Sequence, residues 1–305
     1  MMPTLRMYAL GRLRVFWDQI PLDFPTKRTQ DLLCFLLLHL GQTLDRDLVA
    51  EQLWPMRAPG KARRCLSTAL WRLRQVLEPL AGNGFLLSDH ATLMLNPNTN
   101  HWFDVAVFQE RALTGLAEPV PGTQSNPQSL EEALELYKGD LLEGSHEDWC
   151  LVERERLRLL HLRVLKRLLR LARLSAAFDA AVSYGHILLA LDPLQEDVHR
   201  ELMRCYTASG QRPLALEQYL CCQNTLRREL AIDPMPETQQ LYQRIRNGRG
   251  THPLPAFGED RPTSLVTALS QFRQALDALE STWHALQAAT SEFRETKDPT
   301  SAKHT

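Results

Sequence analysis

The chain has 305 residues, a formal net charge of −1, and 44% hydrophobic and 23% charged residues. That is globular composition with room for two or three domains. It argues against indiscriminate nucleic-acid binding, and no window of about 18 uninterrupted apolar residues suggests a membrane span. The start, MMPTLRMYAL, lacks the charged-then-apolar layout of a secretory signal. The cysteines, Cys34, Cys65, Cys150, Cys205, Cys221 and Cys222, form no C-x-x-C pair. Reduced thiols in a cytoplasmic protein are expected, rather than a disulfide frame or a zinc site. For the adjacent Cys221 and Cys222, core filling is expected over redox chemistry. Charge is unevenly spread: residues 1–100 carry 12 Lys/Arg against 8 Asp/Glu, whereas residues 101–250 carry 18 against 21.

Residues 4–24 read as short strands, LRMYALG, LRVFW and QIPLDF, with a turn at Asp18–Gln19. TKRTQDLLCFLLLHLG follows as a buried helix, because Leu32, Leu33, Phe35, Leu36, Leu37 and Leu40 lie on more than one face, and Gly41 is placed to end it. Asp45 can cap the next helix, RDLVAEQLW, and Pro55 stops it. The loop PMRAPG leads into a helix over 61–81, ended by Gly82 and Gly84. Leu66, Ala69, Leu70, Leu73, Val76, Leu77 and Leu80 recur at steps of three and four and define its packing face. Arg64, Ser67, Thr68, Trp71 and Gln75 fall on the opposite face, and Lys61, Arg63, Arg72 and Arg74 add to its positive charge. Residues 61–74 hold five Lys/Arg and no acid. A solvated helix normally mixes signs. Taken alone, this one suits either a DNA recognition helix or a merely basic surface. FLLS and TLMLN follow as a hairpin.

Sheet, helix, helix, loop, helix and hairpin is the order of a winged helix, whose third helix enters the major groove. The helices LLCFLLLHLGQ, LVAEQLWP and ARRCLSTALWRLRQVL, with DVAVF after the hairpin, resemble the OmpR-type DNA-binding domain of the antibiotic-regulatory (SARP) family of bacterial activators. The chain departs from that pattern at two points. Trp71 stands where family members carry a small polar residue, and the wing SDHATLMLN offers only His90 as a cation.

Residues 116–129 read as a loop or linker. SLEEALELYKGDLLEG supplies a helix, with Ser129 and Glu132 in a capping-box pattern. A long helix spans about Glu147 to Arg173, packing through Leu157, Leu160, Val164, Leu168 and Leu171. Its second stripe, Arg163, Lys166, Arg167, Arg170 and Arg173, reads as a solvated face, an acidic-partner surface or a second DNA contact. Two units then repeat: Ala180-x3-Tyr184 ending in LDP, and Ala215-x3-Tyr219 ending in IDP, with Asp192 and Asp233 41 residues apart. Small and aromatic residues at fixed places let paired helices nest, as in tetratricopeptide arrays; a long second helix in the later unit accounts for the stretched period. YKGDLLEGSHEDWCLVERERLR and EDVHRELMRCYTASGQRPLALEQYLCCQNTLRRELAIDPMPETQQLYQRI resemble the bacterial transcriptional activator domain, which accompanies the winged helix in that family. His199 in EDVHREL reads as a packing or capping residue. Finally, Leu265, Leu269, Phe272, Leu276, Leu279, Trp283, Leu286 and Phe293 alternate steps of four and three, a seam suited to a coiled-coil dimer or to docking on the chain's own helical domain.

The expected protein is mainly α: a winged helix (α+β) over 1–108, a tetratricopeptide-like helical domain over 109–247, a linker over 248–262, an amphipathic helix over 263–297 and a disordered tail over 298–305. No phosphate loop, dinucleotide fingerprint, zinc-protease or nucleophile-elbow motif occurs, so neither catalysis nor a cofactor or metal is expected. The resemblance implies a transcription activator whose partners are double-stranded promoter DNA, RNA polymerase and further copies of the chain. Arg64, Ser67, Thr68 and Trp71 would face bases, and Lys61, Arg72 and Arg74 would hold phosphates. The alternatives are a helical-repeat scaffold whose winged helix binds protein, and a ligand-sensing regulator, for which the sequence carries no pocket signature.

Overall fold

The computed structural model describes residues 4–81, 84–117 and 127–248. The expected seam from Leu265 to Phe293 and the tail lie outside these residues, as do the whole 248–262 linker except its first residue and most of the 116–129 loop.

Strands β1 (Leu5–Tyr8), β2 (Arg14–Trp17) and β3 (Ile20–Pro21) form an antiparallel meander. Leu5 and Met7 point into the core while Arg6 is exposed. Asp18 turns the β2–β3 hairpin at φ +53°, and its carboxylate accepts from the Thr4 amide at 2.7 Å. Helix α1 (Lys27–Leu38), capped by Thr26, buries every residue from Asp31 to Leu37. A two-residue strand, β4 (Leu44–Asp45), precedes α2 (Arg46–Leu53), and Asp45 accepts from the amides of Asp47 and Leu48 at 2.7 and 3.2 Å, a cap worth about 1 kcal/mol. Helix α3 runs Pro59–Ala81, two residues earlier than the periodicity predicts, because proline fits the first turn, where its missing N–H costs nothing. Leu66, Ala69, Leu70, Leu73 and Leu77 are buried as expected; Leu80, at the end of the helix, is 38% exposed.

Strands β5 (Leu86–Ser88) and β6 (Thr92–Leu95) form the expected hairpin, and β4 joins it to make a three-stranded wing sheet in the order β4-β6-β5. Strand β7 (His101–Phe103) returns to pair parallel with β1, and α4 (Asp104–Leu116) starts at once. The buried Asp104 carboxylate accepts from the amides of Ala9, Leu10 and Val105 at 2.8–2.9 Å. Those bonds stabilise its charged form, yet burial wins and raises its pKa. The DVAVF motif thus fastens the sheet to the helix behind it.

The remaining helices are α5 (Gln128–Leu136), α6 (Asp148–Leu174), α7 (Phe178–Leu191), α8 (Glu196–Ala208), α9 (Arg212–Leu230) and α10 (Pro236–Arg246). The capping box at Ser129 does not form. The cap position falls two residues earlier, at Pro127, with Leu130 and Glu131 amides on the Pro127 carbonyl, and α5 has no side-chain cap. In the repeat, Ala181, not Ala180, is the buried alanine, and it stands 34 residues before the equally buried Ala215, the ordinary tetratricopeptide spacing. The longer interval between the DP pairs arises because α9 has 19 residues against 14 in α7, so Ala215, Tyr219 and NTLRREL share one helix. Gly185, one turn after Ala181, lets α7 and α8 approach: a Cβ there would lie 2.8 Å from Leu202 Cγ. His199 is buried and spans two helices, Nε2 meeting the Pro193 carbonyl at 3.1 Å and Nδ1 meeting Gln218 Nε2 at 2.7 Å. Of the adjacent cysteines, Cys222 fills the core and Cys221 is exposed.

One apolar core runs from β1 through α1 and α3 to α4 and α6. The winged-helix elements are therefore packed onto the helical repeat. Leu10 and Leu141 form a β-bridge, and Phe35 meets Trp149 edge-on at 5.4 Å. Arg28 of α1 pairs with Glu147 at 2.6 Å, and Arg154 donates to the carbonyls of Leu141, Leu142 and Ser145. Among the described residues no helix is long and apolar enough to cross a membrane, and no group of three His, Cys, Asp or Glu could hold a metal ion.

Candidate nucleic-acid interface

Helix α3 is held by its buried leucine stripe against α1 and α2, which leaves Lys61, Arg63, Arg64, Ser67, Thr68, Trp71 and Gln75 exposed on one side; Arg72 and Arg74 are half-buried at its edge. All eight site residues predicted from the sequence therefore lie on this helix's outward side or edge. Their engagements divide them.

Two of the five cations are tied up within the fold. Arg63 forms a two-pronged ion pair with Asp47 of α2, which holds that carboxyl below the usual carboxylate range. Arg74 donates to Ser88 Oγ in β5 and lies 3.5 Å from Glu78. The side chains of Lys61, Arg64 and Arg72 make no hydrogen bond or ion pair among the described residues. The hydroxyls are also committed: Ser67 Oγ donates to the Arg63 carbonyl and Thr68 Oγ1 to the Arg64 carbonyl, both at 3.0 Å. Such back-bonding one turn down a helix uses the only hydroxyl proton each has. Trp71 is 60% exposed, an unusual setting for an indole and one that leaves its ring and N–H open to a ligand.

Sequence reasoning missed Arg46. It is the first residue of α2, half-buried, with Nη2 3.2 Å from Ser67 Oγ and Nη1 3.5 Å from the Asp89 carbonyl at the wing turn. Nothing in the local pattern around RDLVAEQLW marks it, because its position depends on the pairing of β4 with β6. The wing turn itself keeps a negative charge: the Asp89 carboxylate accepts from the Ala91 and Thr92 amides and the Thr92 hydroxyl, bonds that lower its pKa, and exposed His90 is the turn's lone potential cation.

The basic stripe of α6 finds part of its acidic partner inside the chain. Lys166 pairs with Asp197 at 2.9 Å and Arg173 with Glu201 at 2.6 Å, both acids on α8; Arg163 and Arg170 are exposed.

Residues 103–246 match the bacterial transcriptional activator domain family. The resemblance to SARP-type regulators read from the sequence is borne out by its relatives. Regulatory protein AfsR of Streptomyces coelicolor is 29% identical over 273 residues, which is 89% of this chain and 27% of that protein. The chain thus spans about a quarter of the length of that relative. Transcriptional regulatory protein MoaR1 of Mycobacterium tuberculosis is 25% identical over 247 residues, 79% of each chain. Among solved structures, Mycobacterium tuberculosis EmbR in complex with a low-affinity phosphopeptide superposes with a TM-score of 0.66 at 22% identity, covering 90% of this chain and 71% of that one. That likeness establishes the mainly helical fold with its N-terminal sheets. By name, the first of these relatives is a regulatory protein and the second a transcriptional regulatory protein.

Proposed function

We propose that this protein is a sequence-specific, DNA-binding transcriptional regulator that activates by engaging RNA polymerase. The observation that carries the reading is the outward side of α3, where Lys61, Arg64 and Arg72 are unpaired and no acid lies between residues 61 and 74. A helix surface so arranged has its charge free for phosphates and its side chains free for base edges. In this reading the module over 1–108 binds promoter DNA, and the module over 109–247 contacts polymerase and couples neighbouring protomers. The heptad residues Leu265, Leu269, Phe272, Leu276, Leu279, Trp283 and Leu286 would pair two chains.

The deciding experiment is selection of random duplex DNA on the full-length protein, with binding to the enriched site repeated at several salt concentrations. An enriched motif with a steep salt slope supports the proposal, and the spacing of its repeats reports how protomers sit. Weak, unselective binding would favour a helical-repeat scaffold whose winged helix engages protein.

A further inference from the structure

We infer that Arg46, at the start of α2, is a phosphate-contacting residue of the DNA surface and supplies the cation that the wing's own sequence lacks. The inference rests on the DNA-binding reading of α3 and adds a residue outside that helix.

Three observations converge on Arg46. Its guanidinium sits at the junction of the two parts that would flank a DNA backbone, touching Ser67 on the outward face of α3 and the Asp89 carbonyl at the tip of the wing. Its position is fixed from below, because its own amide donates to the Ala91 carbonyl at 2.9 Å and β4 pairs with β6 immediately before it. Its guanidinium is paired with no carboxylate among the described residues. Each nearby acid has another commitment: Asp47 to Arg63, Asp45 to the first turn of α2, and Asp89 to the wing turn.

The chemistry suits a phosphate. A guanidinium has five N–H donors in a planar fork, and the two contacts to Ser67 and Asp89 leave donors over for a doubly bonded phosphate. Ser67 then has a different role from the one its sequence position suggests. Its proton is spent on the Arg63 carbonyl, so its remaining lone pair anchors Arg46, making Ser67 a positioning residue for that side chain. Contacts to phosphate set register without reading sequence. Arg46 therefore contributes affinity equally on every duplex.

The test measures binding of Arg46→Gln and Arg46→Lys full-length proteins to the selected site and to an unrelated duplex, across 50–200 mM salt. The expected result for Arg46→Gln is a salt slope lower by about 0.9, so that the affinity lost between those salt limits shrinks by about 3.5-fold, with the same proportional weakening on both duplexes. Arg46→Lys keeps the charge and is expected to restore the slope, which a purely structural bridge to Ser67 and Asp89 would not explain. A wild-type slope in Arg46→Gln, or a slope that stays low in Arg46→Lys, overturns the inference. If the wild-type protein itself shows no selective, salt-dependent binding, it is the DNA-binding reading that fails.

Discussion

Arg63, on the outward face of α3, is ion-paired with Asp47 of α2. Both side chains are more than half exposed, so the pair adds little to stability. Its consequence is for the surface potential: of the cations on this helix, Arg63 is already neutralised before any DNA arrives. Replacing Arg63 with Ala is therefore expected to leave the salt slope of DNA binding near the wild-type value, whereas Arg72→Ala or Lys61→Ala lowers it. The reciprocal change is more telling. Asp47→Ala releases Arg63 and is expected to steepen the slope by about 0.9 and tighten unselective binding. Titrations of labelled duplex at several salt concentrations check both variants.

With the Ser67 and Thr68 protons bound to backbone carbonyls, Arg64 and Trp71 become the principal candidates for reading bases. They are seven residues apart, about 10.5 Å along the helix, or roughly three base-pair steps in the groove. Arg64 suits the two acceptors of guanine, and the Trp71 ring suits the methyl of thymine. Arg64→Ala is expected to lose about 1–3 kcal/mol of preference at one guanine in the selected site. Trp71→Ala is expected to lose its preference at one thymine, and substituting uracil there should reproduce that loss in the wild-type protein. Ser67→Ala and Thr68→Ala should retain the motif. Competition binding with single-base variants of the site measures all four.

Much of this architecture is legible because it is written in local signals. The buried period of α3, the Asp45 cap and the Asp18 turn each depend on residues a few places apart. What the sequence hides is set by distant partners. Strands β4 and β7 are two and three residues long and exist only because β6 and β1 lie beside them. In AAFDAAVSYG several alanines fit the small-residue position, and only the phase of α7 against α8 selects Ala181. The site follows the same rule. The face of α3 could be read from periodicity, but the captures of Arg63 by Asp47 and Arg74 by Ser88, and the arrival of Arg46, come from other elements.

The close approach of α7 and α8 makes Gly185 a sensitive position. An alanine Cβ would lie 2.8 Å from Cγ of Leu202, which is fully buried, so the leucine or the helix must shift. Better helix propensity would favour the substitution by about 1 kcal/mol. Overpacking of this kind costs about 1–3 kcal/mol, so the balance is expected to be destabilising. A lowered urea midpoint for Gly185→Ala, partly recovered by adding Leu202→Val, would be the signature; a raised midpoint in the single variant would show that the helices can separate freely.

His161 provides a pH-dependent contribution with a definite sign. It lies buried in α6, stacked on Tyr137 at 4.0 Å, with Nδ1 lacking a hydrogen-bond partner. Burial lowers its pKa to about 4, only partly opposed by Asp140. The folded pKa is thus below the unfolded value of 6.5, so the unfolded chain takes up the proton first. The contribution is intact above pH 6.5 and is lost as the pH falls toward 4, by at most about 3 kcal/mol. Asp31 acts in the opposite sense: burial raises its pKa to about 6, so protonation in the folded state adds stability over much of the same range. Asp104 shifts in the same direction as Asp31 and His199 in the same direction as His161, so a wild-type pH profile mixes opposing contributions. His161→Phe keeps the ring on Tyr137 and removes the titrating group. Urea unfolding of both proteins at pH 7.5 and 4.5 is expected to show a smaller acid loss in the variant. Equal losses would mean that the imidazole is protonated without disturbing its stack.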